Sequence, residues 1–138
     1  MNVEEVYRFM DGERLAVIST VNGASQPQAA LMGIAVTPEL ELVFDTVKSS
    51  RKYSNLKKNP RVAWVIGCRA EVTVQYEGMA LELEGEELAK YKKTYFAKFP
   101  DGPDRESWPG ITYFVVRPKW VRYCDYDQRK RRIEEKDF

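Results

Sequence analysis

A small antiparallel β-barrel, closed or partly open, is the architecture this chain predicts, and three observations predict it. Short apolar or alternating runs succeed one another with turn signals between them, about six in all, and consecutive strands joined by turns favour a barrel. The helical stretches are few and short, whereas a parallel nucleotide fold would alternate its strands with long helices. Neither glycine-rich phosphate signature, G-x-G-x-x-G or G-x-x-x-x-G-K-[ST], occurs in the 138 residues.

Each element has a local reason. Asn2 can cap a first helix with Glu5 three residues on, and Val3, Val6, Phe9 and Met10 share its apolar face until Gly12. Leu15 to Val21 is β-branched and apolar, Asn22-Gly23 is a hairpin signal, and Gln26 to Val36 reads as a second strand ending before Thr37-Pro38. Leu40 to Phe44 is a third. A short helix follows, with Ser49 or Ser50 as its cap and Asn59-Pro60 as its stop. Arg61 to Gly67 and Glu71 to Glu84 are further strands, with a bend or bulge expected at Gly78.

From Glu86 the period becomes helical. Leu88, Tyr91, Tyr95, Phe96 and Phe99 form one stripe, four lysines face water, and Pro100 ends the helix. After a Pro/Gly loop over 101–110, Ile111 to Val116 and Trp120 to Tyr126 read as closing strands. We expect one domain over 1–126 and a charged tail over 127–138.

Composition removes several function classes. The chain is 43% hydrophobic and 31% charged with a formal net charge of +1, so no global field draws it to nucleic acid or an anionic membrane. Its apolar runs fall short of a membrane span and Met1-Asn2-Val3-Glu4-Glu5 lacks the basic start of a secretory signal, so a cytoplasmic protein is expected. There is no histidine, which excludes imidazole-dependent serine or cysteine triads and histidine-ligated zinc or heme sites built from this chain. Cys68 and Cys124 are expected as free thiols, and no metal site is expected.

The informative segment runs from Phe44 through Asp45-Thr46-Val47-Lys48-Ser49-Ser50-Arg51-Lys52 to Asn59-Pro60. A strand end entering a capped helix offers free backbone N–H groups at the positive end of the helix dipole, and here hydroxyls and cations stand at the same place. A phosphate suits that combination; lysines that merely face water are the plainer alternative.

The order strand, Thr46, then Ser50-Arg51-Lys52, then Asn59-Pro60 resembles the pyridoxamine 5'-phosphate oxidase family of FMN-binding split barrels, and the order of elements from Leu15 to about Tyr126 agrees. The resemblance implies a six-stranded antiparallel split barrel, mainly β, that works as a homodimer. It implies that Thr46, Ser50, Arg51 and Lys52 hold the FMN phosphate, that the backbone of Ala30, Leu31 and Met32 runs along the isoalloxazine ring, and that Thr73 contacts the flavin from the partner.

Departures from the family pattern narrow the expectation. Ala30 and Ala35 stand where the vitamin B6 oxidases carry an arginine and a lysine, and their C-terminal Arg-x-His motif cannot exist here, so oxidation of pyridoxine phosphates is not expected. The family's C-terminal tryptophan falls near Cys124, with Trp120 a few residues early. Trp108, in the loop, is a candidate for the substrate side of the pocket. The aromatic stripe Tyr91, Tyr95, Phe96 and Phe99 is read as core or dimer interface ahead of a flavin lid, and the basic run 129–132 as solvated in preference to a nucleic-acid contact. The expected function is an FMN-dependent oxidoreductase or reductase for a small molecule; a flavin or deazaflavin carrier or sensor without turnover is the alternative.

Overall fold

The computed structural model describes residues 1–127, 129 and 131–138; Gln128 and Lys130, part of the expected tail and basic run, lie outside the described residues. Its elements are α1 (Val3–Asp11), β1 (Leu15–Val21), β2 (Pro27–Gly33), β3 (Ala35–Val36), β4 (Leu42–Val47), α2 (Arg51–Lys58), β5 (Arg61–Ile66), β6 (Val72–Glu82), α3 (Gly85–Lys98), β7 (Ile111–Asp125) and β8 (Arg132–Asp137), with a 3₁₀ turn at Gly102–Arg105. All pairings are antiparallel, in the order β2-β1-β5-β6-β7-β4-β3, with β8 beside β7.

The two ends of that path, β2 and β3, are consecutive in sequence and separated by the fully buried Ile34. The sheet therefore curls until its outer strands are the two halves of one extended segment. Gln26 to Val36 was expected as a single strand; it breaks at Ile34, whose amide donates to the Arg14 carbonyl at 3.1 Å. A Cβ on Gly33 would lie 2.9 Å from the Phe99 ring, so only glycine lets α3 close there. β2 then stays with β1 while β3 crosses to β4.

Two other departures concern the closing strands and the tail, and with the split at Ile34 they leave eight strands where about six were expected. The closing strands form one continuous β7, because Pro118 faces Gly78 where the β6–β7 register shifts, and a bulge tolerates a residue without an N–H. A Cβ at Gly78 would meet the Arg117 carbonyl at 2.5 Å, which explains the glycine. In the charged tail, Arg132–Asp137 pairs with the second half of β7, and Arg132 bonds Glu5 while Glu135 bonds Arg122. The Asn22 hairpin is wider than a two-residue turn. Asn22 Oδ1 accepts from the Ala24 and Gln26 amides, and Ser25, not Gly23, takes the left-handed conformation at φ 61°.

Two apolar layers hold the fold. The barrel interior is filled by Phe44, Trp64, Tyr76, Phe114 and aliphatic neighbours, with α1 closing one opening through Val6 and Met10. On the other face of β3, β4 and β7, α3 buries Tyr91, Tyr95 and Phe99 against Ala35, Val43, Tyr113 and Val115. The aromatic stripe is thus core and not a lid. No helix among the described residues is long and apolar enough to cross a membrane.

Candidate functional site

The Thr46–Lys52 segment is built by a strand end and a helix start. Thr46 ends the inward row of β4, and its Oγ1 lies 3.1 Å from Ser50 Oγ. Ser50 is the cap: its backbone is extended (φ −74°, ψ 153°) and its hydroxyl accepts from the Tyr53 amide at 3.3 Å. The first turn of α2 contains no acid, and Arg51 and Lys52 are its first two residues. Among the described residues neither has a carboxylate within ion-pairing distance. Partial burial, then the Arg51 charge beside it, pushes the Lys52 ammonium below the usual lysine range.

Arg51 and Lys52 line a small cavity of about 90 Å³ with Ile18, Thr20, Gln28, Ala29 and Ala30. The cavity exists because α2 is pinned over β1 and β2. Buried Asn55 donates through Nδ2 to Thr20 Oγ1 at 3.0 Å and to Gln28 Oε1 at 2.9 Å, and Thr20 and Gln28 are themselves cross-strand partners. The other side of α2 is tied to Glu82, which accepts from Tyr53 and Lys57 at 3.2 Å each and from Thr112. Burial alone would raise the Glu82 carboxyl, but the bonds from Thr112, Lys57 and Tyr53 outweigh it and hold the group below its ordinary value.

Of the residues singled out from sequence, Thr46 and Ser50 form one hydroxyl pair, while Ala30, Arg51 and Lys52 share one cavity. Leu31 points outward and is 61% exposed, Met32 packs against the barrel core, and Thr73 donates to the Ile66 carbonyl at 3.2 Å; none of these three side chains lines that cavity. Trp108 is 52% exposed in a loop whose Gly110 carbonyl accepts the Lys48 amide at 2.8 Å. Trp120 is half-buried beside Arg122 and Glu135, and Cys124 is buried. Ala35, where the oxidases carry lysine, is sealed under α3. Sequence reasoning missed Asn55, Gln28 and Glu82. Only Asn55 carried a signal, since asparagine inside a helix asks for a partner.

A second surface lies outside the barrel. Val17 pairs with both Leu31 and Val65, so three apolar side chains form a row across β2, β1 and β5, with Leu15 beside it, each between 39% and 61% exposed. A groove of about 360 Å³ continues from it between Ser19, Ala63 and the Gly78 bulge, with Arg61 and Lys119 at its rim. No group of three or more metal-ligating side chains occurs among the described residues.

A curled antiparallel sheet with three short helices defines a split-barrel protein. The pattern of the family described as pyridoxamine 5'-phosphate oxidase matches residues 3–125, and the chain belongs to that family. It is 25% identical over 122 residues to pyridoxine/pyridoxamine 5'-phosphate oxidase 2 of Hydrogenovibrio crunogenus, covering 86% of this chain and 54% of that protein, so it spans about half the relative's length. The heme-binding protein of Mycobacterium smegmatis shares the fold with a TM-score of 0.84 at 17% identity, over 98% of this chain and 57% of that one. The heme storage protein HutZ of Vibrio cholerae shares it at 0.73 and 17%, over 86% and 91%.

Proposed function

We propose that the chain binds FMN and serves as a flavin-dependent oxidoreductase for a small molecule, working as a homodimer. The observation that carries this reading is the pair Arg51 and Lys52 at the positive end of α2, which among the described residues have no carboxylate within ion-pairing distance, with Lys52 partly desolvated. Both cations oppose the helix dipole, and an anion bound there would offset that cost. In this reading Arg51, Lys52, Thr46 and Ser50 hold the phosphate, the backbone of Ala30, Leu31 and Met32 borders the ring, and Thr73 contributes from the partner. When bound, the isoalloxazine supplies the electron transfer; the chain's own residues bind, orient and desolvate it. A flavin or deazaflavin carrier without turnover would use the same phosphate residues; kinetics separates carrier from enzyme, and the mass of the released cofactor separates deazaflavin from FMN.

Heme is the second reading, favoured by the two heme proteins that share the fold. The absence of histidine counts against it, since a ligand from this chain would have to be a cysteine, methionine or tyrosine. The visible spectrum of the purified protein, with mass identification of what denaturation releases, decides between them. A yellow protein releasing FMN supports the proposal; a Soret band, or no cofactor taken up after incubation with FMN, removes it. Oxidation of bound reduced flavin by candidate acceptors, or its reduction by NADH or NADPH, then separates enzyme from carrier.

A further inference from the structure

The loop over 101–110 grips the phosphate-binding segment from the side away from the cavity. Asp45 precedes Thr46 on β4, so its side chain projects to the opposite face, the one α3 covers, beside its cross-strand partner Tyr113. There Arg105 donates through Nε to Asp45 Oδ2 at 2.9 Å, through Nη1 to Asp101 Oδ2 at 3.0 Å and through Nη2 to the Tyr95 hydroxyl at 3.4 Å. The Arg105 and Asp45 side chains are only 18% and 15% exposed. At that depth either charge alone would be costly, and the planar guanidinium fork fixes the direction as well as the distance of its partner. Five residues after Arg105, the Gly110 carbonyl accepts the Lys48 amide at 2.8 Å. The segment is therefore held on both sides of Thr46, at Asp45 by a side chain and at Lys48 by backbone.

We infer that Arg105 is a positioning residue for the anion site: through Asp45, with Gly110 holding Lys48, it sets the Thr46–Ser50 hydroxyl pair and the start of α2 where a phosphate meets them. The inference rests on the flavin reading above. Its physical content is that strand β4 can carry Thr46 to the right depth only while Asp45 is held on the other face. A slip at the strand end separates Thr46 Oγ1 from Ser50 Oγ, now 3.1 Å apart, without touching either cation.

The test uses the apo-protein of the full chain, titrated with FMN and, separately, with riboflavin by quenching of flavin fluorescence, with a thermal melt of each variant. Arg105→Ala and Asp45→Asn are expected to weaken FMN roughly ten-fold while riboflavin, which lacks the phosphate, changes by less than about two-fold. Arg105→Lys keeps a charge for Asp45 but loses the fork, and is expected to retain most of the FMN affinity. If FMN and riboflavin weaken together, or neither moves while the melting temperature falls, the ion pair is only structural and the inference is overturned. Should Arg105→Ala fail to fold, Asp45→Asn, close to the native shape, decides by the same ratio. Arg51→Ala is the reference: if native protein does not distinguish FMN from riboflavin, or Arg51→Ala leaves FMN unchanged, the flavin reading itself fails and the positioning role falls with it.

Discussion

Arg51 and Lys52 stand where helix physics disfavours them, since a cation at an N-terminus opposes the dipole and the first turn of α2 holds no acid to offset it. Removing both charges should therefore cost the fold little. It should cost phosphate binding much more, because each charge-assisted hydrogen bond is worth about 1.5–3 kcal/mol, or roughly ten- to hundred-fold in affinity. Arg51→Ala and Lys52→Ala are expected to give folded, paler protein, and equilibrium titration should show the double variant binding FMN about as weakly as native protein binds riboflavin. Lys58→Ala is the appropriate control; Lys57 is not, because its Nζ is committed to Glu82. The lowered Lys52 pKa adds a pH signature. The charged ammonium binds the dianion, so affinity is full below the Lys52 pKa and falls as pH rises through it, earlier than an ordinary lysine allows. FMN affinity measured across alkaline pH should show that fall, and Lys52→Arg should move it upward.

Helix α2 is short, and two side-chain anchors rather than its own propensity hold it. Asn55→Ala leaves Thr20 and Gln28 without their donor and should cost about 1–3 kcal/mol, read from denaturant unfolding. Glu82→Gln tests the other anchor through pH. The folded Glu82 carboxyl lies below its ordinary value of 4.5, so its contribution is complete above that value and is lost as pH falls through the folded pKa. Melting curves should separate native from Glu82→Gln protein clearly at neutral pH and converge in acid. These anchors also mark the limit of what local pattern records. The cap, the cations and the hydroxyls lie within Thr46 to Lys52, so local pattern records their proximity, while the phosphate role of each was implied by the family resemblance. Thr20, Gln28, Glu82 and Arg105 reach the same helix or strand end from distant parts of the chain, and no periodicity records a partner that far away. The break at Ile34 was hidden for the same reason, because it depends on β2 pairing with β1 while β3 pairs with β4. Pro118 looked like a strand end because its tolerance depends on the Gly78 bulge opposite. The strand of the tail was masked by charge, which suits an exposed edge strand as well as it suits a solvated tail.

At the scale of the molecule, the barrel leaves one sheet face uncovered by any helix, and that face carries the row Leu31, Val17 and Val65. Exposed apolar residues scattered singly need no explanation, but a contiguous row on a rigid sheet beside an apolar groove does. A second copy related by a two-fold axis is the simplest cover, since one patch then meets itself and the interface closes without leaving a free edge. In the proposed reading, that second copy is also the source of the Thr73 that reaches the flavin. Assembly and cofactor binding are then linked. Light scattering of the purified protein at micromolar concentration should give the mass of a dimer. Val65→Glu and Leu31→Glu place a charge in the middle of the row and should yield monomers that remain folded, because neither side chain enters the barrel core. Leu81→Glu, at an exposed leucine near the far end of β6, should leave the dimer intact. If FMN completes its site across the interface, the monomeric variants should also lose flavin, and affinity should recover as concentration drives reassociation. A native monomer that holds FMN as tightly as any dimer would detach the apolar face from the cofactor and leave both the interface and the partner's role without support.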